Sequence, residues 1–242
     1  MDSLVTWAPH PNSLVLHDNA LHIWRARLET SQDTLKDLSN LLSPEEIARS
    51  ERFVVPRDRQ HFIVARGTLR RLLGGYVNRA PESLRLESEP QGKPFLLDNS
   101  HPSDLRFNLS HSHGVAVYAF ALGRELGIDV EKIRPGFASH ETAQRYFSRQ
   151  EINELEVLAP SSYAEVFFCC WTRKEAYIKA RGHGLHIPLN SFSVTTSPGH
   201  EPKLTSPDSD RWSLYDLQPY PEFAAAIVAE RLDWKFSYFE VG

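Results

Sequence analysis

Ser148-Arg149-Gln150-Glu151-Ile152 restates, far along the chain, the pattern of Ser43-Pro44-Glu45-Glu46-Ile47, and this echo decides how the sequence folds. Both are Ser-x-x-Glu capping boxes. The serine oxygen accepts from the N3 amide and the glutamate reaches back to the N-cap amide, so each marks the start of a helix. Pro44 takes the first helical position, where its missing donor costs nothing. Upstream, Ala20-Leu21-His22-Ile23 and Glu125-Leu126-Gly127-Ile128 each read as the start of a strand. Downstream, Phe62 to Gly67 and Tyr177 to Gly182 lie on segments with helical spacing of apolar residues: Phe62, Ala65, Leu69 and Leu72 in one, Phe167, Trp171 and Ile178 in the other. Gly114 to Leu122 and Phe223 to Val228 close the series as buried strands. Echoes repeated in one order predict a duplicated α+β chain, a pseudo-twofold pair of similar halves at residues 1–122 and 123–242. The junction of two such halves is a cleft, a favoured place for ligands.

Composition narrows the class. The 242 residues are 41% hydrophobic and 24% charged, as in a soluble globular protein able to bury a substantial core. No apolar run approaches the roughly 18 residues that span a bilayer, so no membrane partner is expected. Met1 to Asn19 carries Asp2, Pro9, Pro11 and Asp18 with neither a basic nor an apolar segment, and is not expected to be a signal peptide. The two cysteines, Cys169 and Cys170, are adjacent, which suits neither a disulfide framework nor a CxxC site. A reducing, cytoplasmic setting is the expectation. The net charge of −4 and the lack of a nucleic-acid-reading motif argue against a nucleic-acid partner. Charge is nonetheless uneven. Arg49, Arg52, Arg57, Arg59, Arg66, Arg70 and Arg71 crowd one stretch, opposed only by Glu51 and Asp58. That stretch is either a solvated helix face or a phosphate-binding surface, since the guanidinium fork matches phosphate oxygens. Thr195 to Asp210 and residues 96–104 read as loops.

Three stretches can carry chemistry. Gly127-Ile128-Asp129-Val130-Glu131 reads as a strand whose period of two puts Asp129 and Glu131 on one face. Paired carboxylates repel unless a cation lies between them, and hard oxygen ligands without histidine or thiolate suit Mg²⁺. An acidic face turned to water fits the same spacing. In Phe167 to Gly184, Trp171, Glu175 and Lys179 share one helix side. Glu175 and Lys179 are then either an exposed ion pair or a third metal ligand beside a phosphate-holding ammonium. Phe107-Asn108-Leu109-Ser110-His111-Ser112-His113-Gly114 precedes a strand and suits phosphate binding or simply a strand end. It carries no G-x-S-x-G elbow of a hydrolase. Gly92-Lys93-Pro94 is a turn that can offer an amide and an ammonium to an anion, or only a turn.

Taken together, Gly92-Lys93-Pro94, Phe107 to Ser112, Gly127 to Glu131 and Trp171-Thr172-Arg173-Lys174-Glu175-Ala176-Tyr177-Ile178-Lys179 resemble the two-domain 4′-phosphopantetheinyl transferases that activate peptide and polyketide synthetases. The resemblance implies that family's fold, with the active site at the interface of the halves. The first half would contact the phosphates and adenine of coenzyme A, and the second would carry the metal and catalytic residues. It implies transfer of the 4′-phosphopantetheine group of coenzyme A to a serine of an apo acyl or peptidyl carrier protein, releasing 3′,5′-ADP. Fatty-acid, polyketide and nonribosomal-peptide carriers all fall in that class. Asp129, Glu131 and Glu175 would hold Mg²⁺, with Mn²⁺ able to substitute. Glu175 would take the serine proton, directly or through water, and Lys179 would steady the α-phosphate. Ser110 and His111 would contact the 3′-phosphate or the departing nucleotide, and Gly92, Lys93 and Pro94 the adenine and ribose. Arg49, Arg52 and Arg66 would serve the 3′-phosphate, although one expected basic position falls near His61. The carrier would dock between Phe137 and Tyr163, and the duplicated chain would be a monomer, a pseudodimer in itself. The rivals are a binding module without turnover and a Mg²⁺-dependent hydrolase of coenzyme A.

Overall fold

In chain order, the first half of the computed structural model holds β1 (Ala8–Pro9), β2 (Ala20–Arg27), α1 (Gln32–Ser39), α2 (Pro44–Ser50) and α3 (Pro56–Val77). The small hairpin β3 (Leu86–Ser88) and β4 (Pro94–Leu96) follows, then β5 (Leu105–Ser112) and β6 (Val115–Leu122). The second half holds β7 (Leu126–Lys132), α4 (His140–Tyr146), α5 (Arg149–Glu156) and α6 (Pro160–Arg181). After these come β8 (Ser193–Val194), β9 (Leu204–Thr205), β10 (Trp212–Leu217), β11 (Phe223–Glu230) and β12 (Lys235–Glu240). Residues 6–11, 13–89, 92–97, 104–182, 187–196 and 201–242 are described. Parts of both expected loops, 98–103 and 197–200, lie outside them, as do His183 and Gly184.

Both capping boxes form. Ser43 and Ser148 each accept from the N3 amide at 3.3 Å, and Glu46 and Glu151 reach back to the serine amides at 2.9 and 2.7 Å. Each opens a short helix ahead of a long one. α3 and α6 are both 22 residues, both start on a proline, and both end on a left-handed residue, Asn78 at φ 51° and Gly182 at φ 68°. Phe62 to Gly67 and Tyr177 to Gly182 do lie on these helices, but not at equivalent places. The first is inside α3; the second closes α6. Gly67 is there because a Cβ would lie 2.7 Å from Leu38 O of α1, whereas Gly182 supplies the αL cap.

The sheets repeat as well. β2 pairs with β6 and β6 with β5, all antiparallel; β7 pairs with β11 and β11 with β10 in the same way. First, third and second strand of each half therefore lie in one order, and the α+β two-half architecture is seen directly. β12 then returns to the first sheet and runs parallel to β2, giving the order β1-β12-β2-β6-β5. α3 packs Leu69 and Leu72 over Trp24, Tyr118 and Phe120 on one face of that sheet. α6 covers the other sheet over Ala226, Val228 and Leu214. Between the sheets, Leu21, Ile23, Val117, Ile128, Val130 and Ile227 form a shared core. No helix among the described residues is long and apolar enough to cross a membrane.

Phe107 to Ser112, expected to precede a strand or to be a strand end, lies within β5 itself. β5 and β6 are joined by the two-residue turn His113-Gly114, with φ at 46° and 80°. Two successive positive φ values match the right-handed twist of a hairpin, which is why glycine stands second.

Candidate active site

β7 and β5 are the facing edges of the two sheets, and side chains rather than a backbone ladder hold them together. Asn108 Oδ1 accepts from the amide of Ile128 at 2.9 Å, and Ser112 Oγ from that of Lys132 at 3.3 Å. Between these ties, Ser110 Oγ donates to Asp129 Oδ1 at 2.8 Å and Ser112 Oγ to Glu131 Oε2 at 2.6 Å. Alternate residues of β5 thus meet alternate residues of β7, as the strand period requires. Asp129 is only 4% exposed and Glu131 is half-buried, so this strand face is turned fully to water at neither carboxylate.

α6 completes the group because Gly127 lets it settle against β7. A Cβ at Gly127 would lie 2.2 Å from Ala180 N and 2.3 Å from Ala176 O. Those alanines neighbour Glu175 and Lys179 in sequence. Lys179 Nζ donates to Asp129 Oδ1 at 2.7 Å, to Ser110 Oγ at 3.0 Å and to the carbonyl of Ile128 at 3.2 Å. The alternative of an exposed Glu175–Lys179 ion pair is therefore not what forms. Trp171 leaves the group: it packs among Phe137, Tyr146, Phe147 and Phe167.

Asp129, Glu131 and Glu175 feel one another. Burial first, then the charges of Asp129 and Glu131, push the Glu175 carboxyl up to about 7 despite Lys179. Burial also raises Glu131, helped by Asp129 and opposed by the Ser112 hydrogen bond. Asp129 Oδ2 is buried with no hydrogen-bond partner. Among the described residues no three His, Cys, Asp or Glu side chains are drawn together tightly enough to hold a metal. Asp129 Oδ1 is taken by Lys179 and Ser110, and Glu131 by Ser112. The donor set is nevertheless all hard oxygen with one orphaned buried atom, which fits a small divalent cation.

Lys179 and Ser110 also face a cleft of about 440 Å³ between the halves. Arg49, Arg66, Lys93 and His111 line it, with Gly92 and Pro94 at the rim of the β3–β4 hairpin. Arg66 is held by Glu46 at 2.5 Å, and Lys93 by Glu125 and the Leu126 carbonyl, both at 3.1 Å. Arg49 stacks over Phe62 and has no carboxylate partner among the described residues. The His111 ring keeps an exposed edge, yet the cleft walls desolvate it. That desolvation, with Lys179, His61 and Arg49 nearby, lowers its pKa and favours neutral imidazole. Arg52 is exposed and does not line the cleft.

In the sequence, Ser112 is legible only as a hydroxyl beside His111 and Glu151 only as a helix cap, and neither Asn108 nor Lys174 has a role of its own; their cross-element contacts are what it lacks. Asn108, Ser110 and Ser112 are polar residues at alternate positions, the signal of one strand face that could have revealed them. Glu151 is more than a cap: it is fully buried with Lys174 at 2.8 Å, and Lys174 also donates to the carbonyls of Leu189 and Phe192. In the first half Glu46 likewise takes Arg70 at 2.5 Å.

Residues 26–122 match the model of the 4′-phosphopantetheinyl transferase N-terminal family, and residues 125–228 that of the 4′-phosphopantetheinyl transferase superfamily. The chain is 37% identical over 230 residues to 4′-phosphopantetheinyl transferase HetI of Nostoc sp., covering 95% of this chain and 96% of that one. It is 30% identical to 4′-phosphopantetheinyl transferase Sfp of Bacillus subtilis, covering 74% and 77%. A crystal structure of a Bacillus anthracis holo-(acyl-carrier-protein) synthase in complex with CoA matches 44% of this chain and 94% of its own, at 25% identity and a TM-score of 0.39. The chain belongs to the 4′-phosphopantetheinyl transferase family and is an enzyme of that class.

Proposed function

We propose that this enzyme moves the 4′-phosphopantetheine group of coenzyme A onto a serine hydroxyl of an apo carrier protein and that it needs Mg²⁺. The observation that carries this reading is the junction itself. Asp129, Glu131 and Glu175 act on one another electrostatically, Lys179 touches Asp129, and Lys179 also lines a cleft shared with Arg49, Arg66, Lys93 and His111. The cleft suits a phosphate-rich nucleotide, with Arg49 and His111 toward its 3′-phosphate and the Gly92–Pro94 turn toward adenine and ribose. Asp129, Glu131 and Glu175 would hold Mg²⁺ or Mn²⁺, which when bound neutralises the pyrophosphate and stabilises the departing oxygen.

Glu175 would take the serine hydroxyl proton, directly or through water. Its pKa of about 7 is that of the metal-free site and would fall with a divalent cation bound, leaving the carboxylate ionised and ready to accept. As Glu175 accepts the hydroxyl proton, the serine oxygen bonds to the phosphorus of the pantetheine phosphate. The bond from that phosphorus to the bridging oxygen breaks, and 3′,5′-ADP leaves with the electron pair. Lys179 would steady the α-phosphate. The carrier would dock along 137–163, where Phe137 and Val157 are exposed at 39% and 83%.

The test is intact-mass spectrometry of an apo carrier protein incubated with this chain, coenzyme A and Mg²⁺. The expected result is a gain of one phosphopantetheine that disappears with chelator. An unmodified carrier beside cleaved coenzyme A would make the enzyme a hydrolase instead.

A further inference from the structure

We propose that Lys179 has two stations. In the free enzyme it is the resident counter-ion of Asp129, and it moves to the pyrophosphate when coenzyme A binds, so that Asp129 is released to the divalent cation only in the presence of the nucleotide. The idea rests on the reading above and adds an order to it.

All three ammonium protons of Lys179 are engaged, by Asp129 Oδ1, Ser110 Oγ and the Ile128 carbonyl. An ammonium so engaged has no donor left for a phosphate. It must let go of some of these partners before it can serve one. Asp129 has the matching constraint. Its Oδ1 accepts from both Lys179 and Ser110, while its Oδ2 is buried without a partner. A small divalent cation approaches its oxygens to about 2.0–2.1 Å, far inside the space an ammonium on the same carboxylate leaves free of repulsion.

The exchange is mechanically simple. The Lys179 side chain is 28% exposed and lines the cleft, whereas Asp129 is fixed on a buried strand. A flexible four-carbon stem swings more readily than a strand shifts. Of the cleft's other cations, Arg49 has no carboxylate partner among the described residues and is the one assigned to the 3′-phosphate, and the other two are already paired. Lys93 and Arg66 are committed to Glu125 and Glu46. A nucleotide pyrophosphate entering near Ser110 therefore finds Lys179 as the nearest ammonium it can recruit. Serving as metal substitute in one state and phosphate ligand in the other, Lys179 couples the two sites, and that coupling is reciprocal.

The experiment measures Mn²⁺ binding by electron paramagnetic resonance to free enzyme, without coenzyme A or carrier, for wild type and Lys179→Met. Removing the resident ammonium should tighten Mn²⁺ binding on the order of 10-fold, within the usual range of such couplings. Mn²⁺ should also raise the melting temperature of Lys179→Met more than that of wild type. Lys179→Arg keeps the charge and should bind Mn²⁺ as weakly as wild type, which separates loss of charge from misfolding. Equal or weaker Mn²⁺ binding by Lys179→Met would overturn the exchange and leave the metal reading standing. If wild type takes up no Mn²⁺ even with coenzyme A present, both readings fall.

Discussion

Glu175 is a carboxyl held near neutrality by burial and by two acidic neighbours, and this has consequences for stability as well as for rate. Its folded pKa of about 7 lies above the ordinary 4.5, so between those values the folded protein binds a proton that the unfolded chain has already lost. The stabilisation is complete below about 4.5 and is lost as pH rises through 7. Glu175→Gln, which needs no proton, should therefore be more stable than wild type at pH 8 in chelator, by about 2 kcal/mol, with the gain fading below pH 6. The same variant should lose transfer by roughly 100-fold or more. Melting curves across pH check the first expectation and carrier mass shifts the second. Ser112 is the residue counterpart on the other strand. Ser112→Ala removes the hydrogen bond that orients Glu131 and should weaken Mn²⁺ binding in the presence of coenzyme A severalfold. Ser112→Thr should restore it, and titration of Mn²⁺ decides.

At the scale of elements, the long helices are pinned by buried charges that neither helical periodicity nor propensity reveals. Glu151 and Lys174 are both wholly buried, and the pair ties the start of α5 to the middle of α6 and, through Val194 N, to β8. Breaking a buried pair leaves the survivor uncompensated, a cost of about 3–5 kcal/mol. Lys174→Met should lose that much in urea unfolding, and Glu151→Gln with Lys174→Met should recover part of it. Lys174 belongs to the same short motif as Glu175, yet the helix turns it into the core while Glu175 stays half-buried within the reach of the Asp129 and Glu131 charges. Spacing alone could put Trp171, Glu175 and Lys179 on one side. It could not say that this side would be shared between an aromatic cluster and a site.

Over the whole molecule, the halves are interlocked by chain ends and by the β5–β7 seam. β12 comes from the second half and pairs with β2 of the first, with Trp234 in the shared core. A chain ended after Arg231 should leave the edge of β2 bare and that core open. It should unfold less cooperatively and at lower denaturant than the full chain, as circular dichroism would record. The division at residues 122 and 123 remains a proposal about origin, and each half draws on the other for its final shape.

Local rules were enough for much of this. Capping boxes, the prolines that start α3 and α6, and the alternation in β7 are properties of a few neighbouring residues, so they are written in the sequence. So were the repeated strand and helix order and the acidic and basic residues from which a site could be built. What tertiary structure alone decided is how those residues meet. Gly127 allows α6 within contact of β7, β5 presents three polar side chains to the edge of a foreign sheet, and Lys179 turns to Asp129 rather than to Glu175. Each of these depends on the distance between elements remote in the chain, and distance across a packed core is set by the fit of all its side chains together.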